Sequence, residues 1–155
     1  MNVEARAPGS AGFSLIEMMA ALLIAGLLFF VALPGWQHTL VKSYRAAGRG
    51  VLLDVLSRQE QYFINNKRHA VSLAPLGLPA TYYIGPQAQQ VPAARSVYRI
   101  ELQLEGEPGS ASFRGVRAIP QNRQRNDHHC MILAISRTGV RTASGSLSHA
   151  PQECW

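Results

Sequence analysis

From Phe13 to Leu33 the chain is apolar with few interruptions, and residues 18–33, MMAALLIAGLLFFVAL, carry no charge. As a helix the whole tract would extend about 31 Å, close to the thickness of a bilayer core. Pro34-Gly35 follows, and a proline inside a helix removes a hydrogen bond and bends or ends it. Beyond it Val41, Tyr44, Leu52, Val55, Leu56 and Phe63 recur in steps of three and four, with Gly48 and Gln59 at the missing steps. That period predicts an amphipathic helix, and Asn65-Asn66 reads as its stop. One long helix is therefore expected from Phe13, bent at Pro34, its first half in lipid and its second half against a polar head.

Residues 67–96 show no period and are punctuated by Pro75, Gly77, Pro79, Gly85, Pro86 and Pro92, so a long loop is expected, with Tyr82–Ile84 as a short strand. In residues 97–104, Tyr98, Ile100, Leu102 and Leu104 alternate with polar residues, the mark of a half-buried strand. A turn at residues 105–109 leads to a second strand over 112–119. A third is expected over 130–136, then a turn at Arg137-Thr138-Gly139 into a strand over 140–142. A helix followed by an antiparallel meander is an α+β fold. The organisation expected is a leader over residues 1–12, a membrane and assembly helix over 13–34, an amphipathic helix over 35–66, and a loop, meander and C-terminal loop over 67–155. Gly48 and Gly50 invite either close packing or local flexibility of the second helical half.

The 155 residues suffice for one domain, and 15% charged residues with two Trp, five Tyr and five Phe exclude a disordered chain. Fifteen Lys and Arg against nine Asp and Glu leave +6, and all but Lys42 and Lys67 of these bases are Arg. Such a balance permits contact with nucleic acid without requiring it. No nucleophile elbow, phosphate loop or paired carboxylates are present, so no enzyme activity and no cofactor are expected. Asp127-His128-His129-Cys130 spells the signature of protein palmitoyltransferases, but one apolar span and two cysteines make that match fortuitous. His128, His129 and His149 do not follow the spacing of a zinc module, so no metal is expected. Asp127 and Glu153 are too few acids for calcium, which takes six or more oxygens.

A secretory signal would place small residues at a cleavage site after the apolar tract, but Pro34, Gly35 and Trp36 stand there. Glu17 is the informative residue. A carboxylate within such a tract costs on the order of 2.5–3.5 kcal/mol, so it either reaches back to the interface or awaits a cation from a partner. Cutting between Gly12 and Phe13 would create such a cation, an α-amino group that a neighbouring subunit in a staggered bundle could offer.

The run Gly12-Phe13-Ser14-Leu15-Ile16-Glu17 followed by an apolar helix resembles the type III signal of type IV prepilins and pseudopilins. The resemblance implies that a prepilin peptidase cuts between Gly12 and Phe13 and methylates the amine of Phe13, and that Glu17 is needed for assembly. Basic residues favour the opposite orientation, since Lys42, Arg45 and Arg49 outnumber Arg6, but the resemblance requires the leader inside. Arg58 to Ala70, together with Gln124, Asp127, Cys130 and the terminal Cys154-Trp155, is similar to PilE-type minor pilins. The resemblance also implies a disulfide between Cys130 and Cys154. In an oxidising compartment such a bridge would contribute roughly 3–4 kcal/mol and pin the tail, with Trp155, to the third strand. The alternative is two free thiols.

The function expected is that of a minor pilin: a structural subunit that primes or supports assembly of a type IV pilus, twitching motility and surface adhesion. Its expected partners are the prepilin peptidase, other major and minor pilins, the inner-membrane assembly platform and the membrane, with DNA or a surface ligand beyond these. It would sit in the inner membrane as a single-pass protein, head in the periplasm, and then in the extracellular pilus. One alternative is a pilin that captures DNA, with Arg114, Arg117, Arg123, Arg125, Arg137 and Arg141 as candidate contacts. The other is a pseudopilin of a type II secretion system, which shares the N-terminal signal.

Overall fold

A computed structural model describes residues 13–107 and 109–155, with backbone alone for 31–38. The expected leader and the cleavage position Gly12 lie outside the described residues. The chain divides at Thr39 into a helical tract and a head, residues 39–155, with its own core.

A single helix, α1 (Leu15–Asn66), runs through Pro34 and Gly35 without a break. It ends at Asn66, where the pair of asparagines predicted a stop. Phe13 lies just before it, and Glu17 is in its first turn, donating its backbone N–H to the Ser14 carbonyl at 3.0 Å. Phe13, Leu15, Ile16 and the apolar side chains from Leu22 to Phe30 stand exposed on the single chain. Among the described residues no helix is long and apolar enough to cross a membrane.

The head is a five-stranded antiparallel sheet in sequential order: β1 (Tyr82–Ile84), β2 (Tyr98–Glu105), β3 (Ser112–Pro120), β4 (Leu133–Ser136) and β5 (Arg141–Ala143). Alternation in β2 sends Tyr98 and Ile100 inward, where they meet Val51, Leu52 and Val55 of α1 together with Val116, Leu133 and Ile135. The meander and the short Tyr82–Ile84 strand are as the sequence predicts. The strand expected over 130–136 is shorter and begins at Leu133. Cys130 gives its backbone N–H to Asp127, and Met131 takes a left-handed φ of 40°, so residues 130–132 finish a loop rather than join a ladder.

Of the two helical glycines, Gly48 carries the close packing. A Cβ there would sit 3.1 Å from the Tyr98 ring, whereas nothing lies within 4 Å of one on Gly50. Gln59, buried in the apolar stripe, donates to the Ala70 carbonyl at 2.8 Å and accepts from its N–H at 2.9 Å. The chain leaving α1 is thereby folded straight back along it. Phe63, placed by period in the same stripe, is instead 39% exposed and stacks on His69.

Candidate nucleic-acid interface

The six arginines selected as candidate contacts do not form one patch. The residues between β3 and β4, 121–132, leave one end of the sheet, and Arg123 and Arg125 project from a 3-10 turn there. Between them Gln124 is buried, as are Asp127 and Cys130, while Arg123, Arg125, His128 and His129 face outward. Three anchors hold the inward side. The Gln124 amide donates to the Tyr98 hydroxyl at 2.9 Å and to Asp127 at 3.1 Å. Arg45 of α1 grips Asp127 with two parallel hydrogen bonds of 2.6 Å. Cys130 is bonded to Cys154, with Cα atoms 5.6 Å apart.

Those anchors mark the electrostatics. Hydrogen bonding to Asp127 raises the Arg45 guanidinium above its ordinary range in spite of the burial that opposes it. Burial likewise pushes the Tyr98 phenol well up, so it stays a neutral acceptor for Gln124. Charge is thus settled on the inward side, while Arg123 and Arg125 carry no carboxylate partner among the described residues.

Arg117 lies mid-strand on the sheet face turned away from α1. There it shares Glu101 with Arg99, at 2.8 and 2.7 Å, which neutralises half of that pair of cations. Arg114 sits at a bulge opposite Gln103 and Leu104. It lies about 20 Å from the 121–132 loop at ~3.3 Å per residue of β3. Arg137 joins it there, donating its backbone N–H to the Arg114 carbonyl at 2.8 Å. Arg141 is on the edge strand β5, its guanidinium 5.5 Å from the Trp155 ring. The tail is therefore secured differently from the expectation. The disulfide ties it to the loop before β4, and Trp155 donates to the Thr142 carbonyl of β5 at 3.0 Å rather than packing on the third strand.

The sequence reading missed the roles of Arg45 and Tyr98. Arg45 is 82 positions from Asp127, so no local spacing could signal the pair. Among the described residues no three His, Cys, Asp or Glu side chains gather as a metal site.

Two family models match the chain. One, described as type IV minor pilin ComP, DNA uptake sequence receptor, covers residues 34–134. The other, the prokaryotic N-terminal methylation motif, covers residues 8–33 and so includes Gly12, Phe13 and Glu17. No curated protein matches. The methylation motif is that of a membrane-anchored precursor processed by a peptidase and assembled with other pilins. The ComP match takes in Arg114, Arg117, Arg123 and Arg125 and ends before Arg137 and Arg141.

Proposed function

The chain belongs to the type IV minor pilin ComP family, and on that premise we propose that it captures DNA at a type IV pilus. The observation that carries this reading is the 121–132 loop, whose outward arginines lack carboxylate partners among the described residues while its inward residues are locked. A cationic loop fixed in advance loses little conformational freedom on binding phosphate. Arg123 and Arg125 are the primary contacts, and Arg117, held beside Glu101, contributes less. The DNA uptake sequence receptor of the family's description supports the same reading. The protein works by binding and assembly, not by catalysis.

Before assembly the tract from Phe13 holds the protein in the inner membrane with its head in the periplasm. After assembly the head is displayed on the extracellular pilus, beside major and minor pilins delivered by the same inner-membrane platform. Support of twitching motility and adhesion follows from membership of that filament, and the ComP match favours a pilus over a secretion pseudopilus.

The binding half of the reading is tested by gel shift of the full-length chain in detergent. Duplex DNA should be retained at low salt and released as salt rises. Arg123→Ala/Arg125→Ala should bind about tenfold more weakly, with a salt slope shallower by about 2. Absence of any DNA complex at low salt would remove the proposal. The assembly half is tested by Glu17→Ala, expected to be cleaved normally yet missing from sheared pili, because the carboxylate that meets a neighbour's amine is gone. Normal incorporation would remove that pairing.

A further inference from the structure

Away from the 121–132 loop, the sheet end that carries the β2–β3 and β4–β5 turns forms one wall of a cleft. The opposite wall is the segment that follows α1. Its volume is about 870 Å³, within the range of small-molecule sites. Arg68, Arg114 and Arg137 line it, and Glu105 is the one carboxylate on its walls. Three guanidiniums less one carboxylate leave two positive charges. Arg114 and Glu105 are 3.7 Å apart with side chains 67% and 69% exposed, a contact too solvated to hold Arg114 against a stronger anion. Arg68 and Arg137 have no carboxylate partner among the described residues.

The remaining lining is aromatic and aliphatic. His69 stacks on Phe63 with centroids 4.6 Å apart and tilts against Phe113 at 5.3 Å, and its Nδ1 is buried without a protein partner. Tyr62, Val71 and Val140 complete the apolar side, the two valines 51% and 59% exposed. The cleft therefore combines two uncompensated positive charges with a ring- and valine-lined surface, each drawn from both walls.

From this arrangement we infer that the cleft holds the terminal nucleotide of a DNA strand, its phosphate monoester on Arg68, Arg114 and Arg137 and its base against the apolar side. The charge count selects the group. A phosphate monoester carries about −1.5 to −2 near neutral pH, which matches the two uncompensated charges. A carboxylate or an internal phosphodiester carries only one. Arginine's planar fork suits phosphate oxygens two at a time. The inference rests on the DNA-binding reading but uses different residues. It gives the head two separate holds, one on duplex backbone and one on a strand end.

The test titrates the full-length chain in detergent with three DNAs: a closed circle, a linear duplex with 5′-phosphorylated overhangs, and the same duplex with 5′-hydroxyl ends. The phosphorylated duplex should bind about tenfold more tightly than the hydroxyl one, the worth of about one charge-assisted hydrogen bond. Arg68→Gln, an exposed position outside the 121–132 loop, should erase that preference and leave binding of the circle unchanged. Deoxyadenosine monophosphate should compete with the phosphorylated ends and not with the circle. Equal binding of the two linear duplexes, with the circle still bound, overturns the strand-end site while sparing the DNA-binding reading. Binding of the free monophosphate without preference between the duplexes also overturns it, assigning the cleft to a soluble nucleotide. Failure to bind the circle at low salt overturns the parent reading instead.

Discussion

Arg45→Ala will destabilise the head by about 3–5 kcal/mol, because it strands a buried carboxylate. The Asp127 side chain is 1% exposed, and with Arg45 gone it retains, among the described residues, the Gln124 amide and the Cys130 N–H. Denaturant unfolding of the full-length chain in detergent measures the loss. Arg45→Lys should recover only part of it, since one ammonium cannot reproduce the two parallel bonds to Oδ1 and Oδ2. The effect should extend to DNA. Asp127 ties the loop that carries Arg123 and Arg125 to α1, so the variant should bind duplex more weakly even where it is still folded. A loss of stability below about 1 kcal/mol would mean that the Gln124 amide and the Cys130 N–H sustain the Asp127 carboxylate without Arg45.

Opening the disulfide ranks next. Cys130→Ser/Cys154→Ser frees a loop spanning 24 sequence positions, and loop-closure entropy puts the cost at roughly 3–4 kcal/mol. For a domain of this size that lowers the melting temperature by about 10–15 °C. Reduction of the wild-type chain should reproduce the shift, and a scan with and without reductant reads it directly. Because Cys130 also closes the loop bearing Arg123 and Arg125, salt-dependent DNA binding should weaken in parallel. A shift under about 3 °C would show that Arg45 and Gln124 hold the loop without help from the bridge.

The two perturbations separate what was legible in the sequence from what was not. The Asn65-Asn66 pair placed the end of α1, and alternation with turn residues placed the strands, because both signals are local. The disulfide pairing came from resemblance. Its physical effect differs from the one anticipated, since Cys130 belongs to a loop and not to a strand. That difference comes from the Cys130 N–H turned to Asp127 and from the left-handed backbone of Met131, neither of which leaves a trace in hydropathy. The six arginines were visible as residues but not as a site. Strand register assigns Arg117 to a carboxylate on the neighbouring strand, and the bulge opposite Gln103 and Leu104 brings Arg114 beside Arg137. Arg68 entered the cleft because Gln59 folds the post-helix segment back, a contact formed only in three dimensions.

The sheet's sequential order has a consequence for a protein that must polymerise without sticking. Its two outermost strands, β1 and β5, are only three residues each. On the β1 side the chain itself occupies further positions, through Val91 N–H to the Tyr83 carbonyl and a bridge from Ile84 to Gln90. Little unpaired ladder is left for another head to extend, so strand-to-strand fibre growth is starved of a template. That leaves the exposed apolar side chains of α1 as the surface open to association with other pilins. On the proposed function, copies could then lie side by side without their heads fusing into strand-paired fibres.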